Sequence, residues 1–113
     1  MLESYSSVLS QALKRIVDGD TSAAHRLLDN FYYRRRKWTA KDYTELLQYT
    51  LSHRAFIKAD DETKNELAGI LFYFRSPHNK STAAYYVSHR RVIRNGEAKD
   101  EFRIEAGGSA PAH

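Results

Sequence analysis

Ser81-Thr82-Ala83-Ala84-Tyr85-Tyr86-Val87-Ser88-His89-Arg90-Arg91-Val92-Ile93-Arg94-Asn95-Gly96 can be read in two ways, and the fold class turns on the choice. Ser81 is a good N-cap, Ala83 and Ala84 are strong helix formers, and Gly96 suits a C-terminal cap; that set describes a helix. Tyr85, Val87, His89, Arg91 and Ile93 alternate, and Asn95-Gly96 is a favoured two-residue turn; that set describes a β-hairpin. Two alanines and a cap at each end decide for a helix over residues 81–95. Beyond it, Phe102 and Ile104 are spaced for a short extended segment. Residues 106–113, small and rich in glycine and alanine, read as a flexible tail.

Upstream, apolar residues recur at helical steps. Leu2, Tyr5, Val8, Leu9, Ala12, Leu13, Ile16 and Val17 mark one face of a first helix over residues 2–17, with Lys14 and Arg15 placed to suit its dipole. Asp18-Gly19-Asp20 is a tight connector, so the next helix should fold back on the first. That second helix begins at Asp20 or Thr21, buries Ala24, Leu27, Leu28 and Phe31, and runs to about Lys37. Thr39 and Asp42 form a capping-box variant that opens a third helix, ending near Lys58. Asp60-Asp61-Glu62 caps a fourth, which carries Leu67, Ile70, Leu71 and Phe74 inward and is stopped by Ser76-Pro77. Gly69 in its middle costs about 1 kcal/mol against alanine, which a close helix crossing would explain. The expectation is an all-α single domain over residues 1–105. It has four to five helices in antiparallel hairpins and a short C-terminal extended piece.

Composition bounds the function. The 113 residues hold 42% hydrophobic and 28% charged side chains and no cysteine, which excludes disulfide scaffolds, zinc ribbons and thiol chemistry. No apolar run approaches the ~18 residues of a membrane span, and the N-terminus lacks the pattern of a signal peptide. The chain is therefore expected to be soluble and cytoplasmic, away from membranes. Asn79-Lys80-Ser81 matches a glycosylation triplet by chance. The net charge of +4 is unevenly spread: residues 31–58 carry seven bases against two acids, whereas residues 59–79 carry two against four. Arginines outnumber lysines. A segregated, arginine-rich charge points to an anionic partner.

The centre of that charge is Phe31-Tyr32-Tyr33-Arg34-Arg35-Arg36-Lys37-Trp38. Guanidinium and ammonium groups release counterions from phosphate, and tyrosine or tryptophan can stack on unpaired bases. Arg34, Arg35, Arg36 and Lys37 are the candidate nucleic-acid contacts, with Tyr33 and Trp38 as stacking partners. Arg90, Arg91 and Arg94 would be auxiliary contacts along the predicted last helix. Cations also favour helix C-termini for dipole reasons alone, and Tyr, Trp and Arg are equally the residues of protein interfaces. Adjacent pairs, Tyr32-Tyr33 and Tyr85-Tyr86, cannot both face one narrow core, so the chain should expose a binding surface and has room for a homo-oligomer.

Other chemistry is thin. A helix-turn-helix wants a small residue four positions before its turn glycine, where this chain has Arg15 and Asn65. The five histidines lack metal-ligand spacing, and Asp60, Asp61, Glu62 and Glu66 fit a helix start better than an ion site. No phosphate-cradling loop and no nucleophile–base pair is present, so neither cofactor, metal nor enzymatic activity is expected. Two functions remain. One is a small basic non-catalytic protein that binds DNA or RNA through the Arg/aromatic patch. The other is an adaptor or inhibitor that docks on a larger protein, such as a nucleic-acid-processing enzyme.

Overall fold

The computed structural model describes residues 2–34, 38–74 and 78–107 of the chain. Five helices are followed by two strands: α1 (Leu2–Val17), α2 (Thr21–Tyr33), α3 (Ala40–Ser52), α4 (Arg54–Lys58), α5 (Asp61–Tyr73), β1 (Tyr85–Arg94) and β2 (Glu97–Ala106). The strands form an antiparallel two-stranded sheet. The all-α expectation is therefore wrong: the fold is mixed, and its helical part ends at Phe74 rather than near residue 105. Residues 81–95 are not a helix, and the short extended segment is the second half of a ten-residue hairpin arm.

The turn overrode the alanines. Asn95 and Gly96 both have positive φ, 51° and 80°, the conformation whose twist matches two flanking strands. Ala83 and Ala84 lie just outside β1. The register runs from Tyr85↔Ala106 to Arg94↔Glu97 without a bulge. Opposed residues share a face, so Val87, His89, Phe102 and Ile104 form one apolar patch, which packs on α5.

The helical part follows the sequence closely. Gly19, at φ 85°, ends α1, with Gly19 N–H donating to the Ile16 carbonyl and Asp20 N–H to that of Arg15 (2.8 Å). This is the paired closure of a Schellman motif, and it turns α2 back along α1. Asp20 caps α2 by accepting from Ala23 N–H. Thr39 and Asp42 satisfy each other's backbone amides at the start of α3. Asp60 caps α5 through Thr63 N–H, 2.8 Å; this bond, and then one from the Thr63 side chain, hold the Asp60 carboxyl below its usual range.

Two boundaries differ. α2 stops at Tyr33 rather than Lys37; residues 35–37 lie outside the described set, as do Ser76 and Pro77. The single helix expected over residues 40–58 breaks at His53. Its extended backbone (φ −74°, ψ 130°) lets the ring Nδ1 accept Ala55 N–H at 3.1 Å and start α4. Histidine is an unusual cap, and no glycine or proline marks the break.

One core joins the elements. Tyr5, Leu9, Ala12, Leu13 and Ile16 of α1 meet Ala24 and Leu28 of α2, Tyr43, Leu46 and Leu47 of α3, and Leu67, Ala68 and Leu71 of α5. Val87 brings β1 into the same cluster. Two buried hydroxyls are satisfied within it. Thr50 Oγ1 donates to the Leu46 carbonyl (2.8 Å), so its oxygen accepts the Tyr5 hydroxyl at 2.6 Å. Burial pushes the Tyr5 phenol far above its ordinary range. Tyr43 donates to the Leu71 carbonyl at 3.0 Å.

Gly69 is where α5 accepts the hairpin. A Cβ there would sit 3.0 Å from Cδ2 of Phe102. A close approach does explain the glycine, but its partner is a strand side chain rather than another helix. Asn65, one turn earlier, accepts Phe102 N–H at 2.7 Å and pins β2 in place.

Candidate functional site

The expected nucleic-acid residues fall at two places. The first is the end of α2. Arg34 is its C-cap, exposed, with its N–H donating to Asn30. Tyr33 is 70% exposed and touches the edge of Tyr32. Arg35, Arg36 and Lys37 lie outside the described residues. Trp38 is turned inward: it stacks on Tyr32 (4.8 Å between centroids, 8° between planes) and meets Phe31 edge-on. Its indole N–H donates to the Tyr32 carbonyl. This bond satisfies one of the carbonyls that a helix end leaves without an intrahelical donor. Trp38 thus has a structural role in closing α2, and Tyr33 is the described ring at this end that is widely open to a stacking partner.

The second place is β1. A strand's period of two puts Arg90 and Arg94 on the outer face of the hairpin and Arg91 on the opposite face. A helix would have grouped all three. Cross-strand carboxylates answer them. Glu101 is forked between Arg94 Nη2 (2.9 Å) and Arg90 Nε (3.1 Å). Asp100 takes His89 Nε2 at 2.9 Å, with Arg91 Nε at 4.0 Å. The bonds from Arg94 and then Arg90 hold the Glu101 carboxyl below its usual range, and that from His89 does the same for Asp100. Exposed pairs of this kind contribute little to stability, yet each carboxylate offsets part of the positive potential a phosphate would feel.

The two places do not merge. Phe72 meets His89 and Phe102, each at 5.2 Å, while Phe74 meets Tyr32 at 5.2 Å and His25 at 5.6 Å. Residues two apart on a helix point about 200° from each other. The end of α5 therefore stands between the Tyr33–Arg34 corner and the hairpin cations.

Sequence reasoning missed the projecting half of the hairpin. Among residues 91–100 only Val92 is less than fully exposed in class. Ile93 is 71% exposed, and Tyr73, beside Phe102 at the end of α5, is 68% exposed. The alternation through Ile93 was the available signal. Asn79, read in the sequence only as the start of a glycosylation triplet, holds the base of β1. Val87 N–H donates to its Oδ1 (2.9 Å), and its Nδ2 donates to the Val87 carbonyl (3.3 Å), so the side-chain amide imitates one residue of a neighbouring strand.

A serine–histidine contact joins α1 to the break between α3 and α4. Ser6 Oγ lies 2.9 Å from His53 Nε2. Because Nδ1 accepts Ala55 N–H, the ring proton sits on Nε2 and is donated to Ser6, the reverse of what a general base needs. The groove between α3 and β1, lined by Glu45, Gln48, Tyr49, Leu51, Ser52 and Tyr85, is open and has one carboxylate. Among the described residues no group of three or more His, Asp or Glu could hold a metal ion, and no helix is long and apolar enough to cross a membrane. The chain matches no protein-family model, no curated protein and no solved structure.

Proposed function

We propose that this protein is a non-catalytic module that docks on a larger protein through the projecting half of its hairpin. The observation that carries this reading is the exposure of both faces of residues 91–100, with Ile93 uncovered among arginines. A two-stranded ribbon gains little stability from itself, and this one buries only its base. Exposed apolar and arginine side chains on such an arm are suited to a partner's surface. Internal ion pairing of Arg90, Arg91 and Arg94 lowers their value for phosphate, whereas it leaves a mixed-charge surface that a protein can match.

A second reading is kept for the end of α2, where Tyr33 and Arg34 are exposed side by side. That corner, with Arg35, Arg36 and Lys37 in the adjoining chain, supports nucleic-acid binding, DNA or RNA, without help from the hairpin.

One pair of measurements separates the readings. A photo-crosslinking residue replacing Ile93 should give a discrete protein adduct in the producing cell. The same residue replacing Val17, also 69% exposed, should give none. In parallel, single-stranded and duplex oligonucleotides should show no affinity that depends on Arg34. Binding that weakens steeply with salt and is lost in Arg34→Ala, with no protein adduct at position 93, would replace the docking reading by the nucleic-acid one.

A further inference from the structure

Among the described residues, the pairing pattern leaves one side of β1 open. In an antiparallel ladder, residues alternate between bonding the partner strand and pointing away from it. Val87 points away, because its N–H and C=O are both taken by Asn79. By the same parity His89, Arg91 and Ile93 point their backbone groups outward, away from β2. Asn79 closes the edge only at Val87. From His89 to Ile93 the edge carries three donors and three acceptors spaced to accept another strand.

The side chains flanking that edge specify what fits. β1 holds Arg90, Arg91 and Arg94 and no acid; each already meets a β2 carboxylate, yet their side chains stay 67%, 71% and 63% exposed, which leaves guanidinium N–H groups for a second acid. β2, which pairs with it inside the fold, holds Glu97, Asp100, Glu101 and Glu105 against Lys99 and Arg103. A second copy of β1 fits badly. In an antiparallel pairing centred on residue 90, 91 or 92, at least one arginine falls opposite another, which is destabilising.

The geometry points to the His89–Ile93 edge of β1 as a strand-addition site for an extended segment of a partner protein in which acidic and apolar residues alternate. Main-chain hydrogen bonds supply the attachment. Acids of the incoming strand lie beside Arg90 and Arg94 on one face or Arg91 on the other, and its apolar residues lie beside Val92 or Ile93. The inference rests on the docking reading and names the partner's chemistry.

The test uses the intact chain and a capped octapeptide of alternating Glu and Val, with the Lys–Val octapeptide as control. The readout is amide hydrogen exchange by NMR. With the Glu–Val peptide at ten times its dissociation constant, exchange at Arg91 and Ile93 should slow about tenfold, while Val87, already bonded to Asn79, should not change. Arg91→Pro should abolish the protection. It deletes the middle outward donor while leaving the β1–β2 bonds intact, as unshifted Val87 and Phe102 amides would show. Arg91→Glu, which keeps the donor, should shift preference toward the Lys–Val peptide. Equal protection by both peptides, no protection by either, or protection that grows with protein concentration alone (a second copy on the edge) would overturn the proposal. If the peptides fail but position 93 still yields its protein adduct, only strand addition is lost; if both fail, so is the docking reading.

Discussion

Tyr5 and Thr50 share a buried proton chain that runs from phenol to threonine hydroxyl to the Leu46 carbonyl. The chain has a direction, and that direction makes the two truncations unequal. Tyr5→Phe removes the first donor but leaves Thr50 bonded to Leu46, and the ring contacts with Phe31 (5.4 Å) and Tyr49 (5.8 Å) persist. Its cost should be about 0.5–1.5 kcal/mol. Thr50→Val keeps the shape but strands the Tyr5 hydroxyl in the core, which should cost about 1–3 kcal/mol. Thermal or urea unfolding of the two variants should rank Thr50→Val as the less stable. The opposite ranking would mean that the proton chain runs the other way. Gly96 is a comparable single-residue constraint, since its φ of 80° belongs to glycine. Gly96→Ala should destabilise the hairpin by roughly 1 kcal/mol.

The hairpin as an element owes its outer half to a turn and to ion pairs rather than to a core. Glu101 and Asp100 have carboxyls held below their usual range by Arg94, Arg90 and His89. A carboxylate depressed in the folded state stabilises above its unfolded pKa, and that contribution is lost as pH falls through the folded value. The support is therefore complete at neutral pH and should fade below about pH 4, where ordinary carboxylates protonate. Followed by NMR, Glu101 should titrate below free glutamate, and the amides of Val92, Arg94, Glu97 and Lys99, which bond across the hairpin, should lose protection in step while those of α5 do not. Glu101→Gln should weaken that dependence and leave the part due to Asp100; a parent hairpin indifferent to acid would show that the turn alone holds it. The helices differ in kind. α2, α3 and α5 start at side-chain caps visible in the sequence, whereas the cap of α4 is a histidine ring.

At the scale of the whole molecule, α5 is the axis: its buried run from Leu67 to Leu71 meets α1, and its two sides take the α2 corner and the ribbon. Gly69 sets how closely the ribbon docks. Gly69→Val should press its methyls into Phe102, lift β2 from Asn65 and cost about 1–3 kcal/mol. Loss of the Phe102 amide shift should accompany the lower melting temperature. A variant as stable as the parent, with Phe102 unmoved, would show that the contact is slack.

The starts of α2, α3 and α5, the α1–α2 reversal and the inward faces were legible in the chain, because caps and a 3.6-residue apolar period are local properties. The amino-acid sequence also fixed what the chain lacks, cysteine above all, and the concentration of arginine and aromatic rings around residues 31–38. Both readings of residues 81–95 were equally local, which is why local cues could not choose between them. Choosing required a partner: Phe102 and Ile104 gain from opposing His89 and Val87 only when α5, opened by Gly69, covers their face. Tertiary structure likewise decided the relation of Arg34 to the hairpin arginines, because Phe72 and Phe74 face opposite sides of one helix. It also decided that the hairpin arginines face carboxylates, since cross-strand register is a contact between distant residues and leaves no period to read.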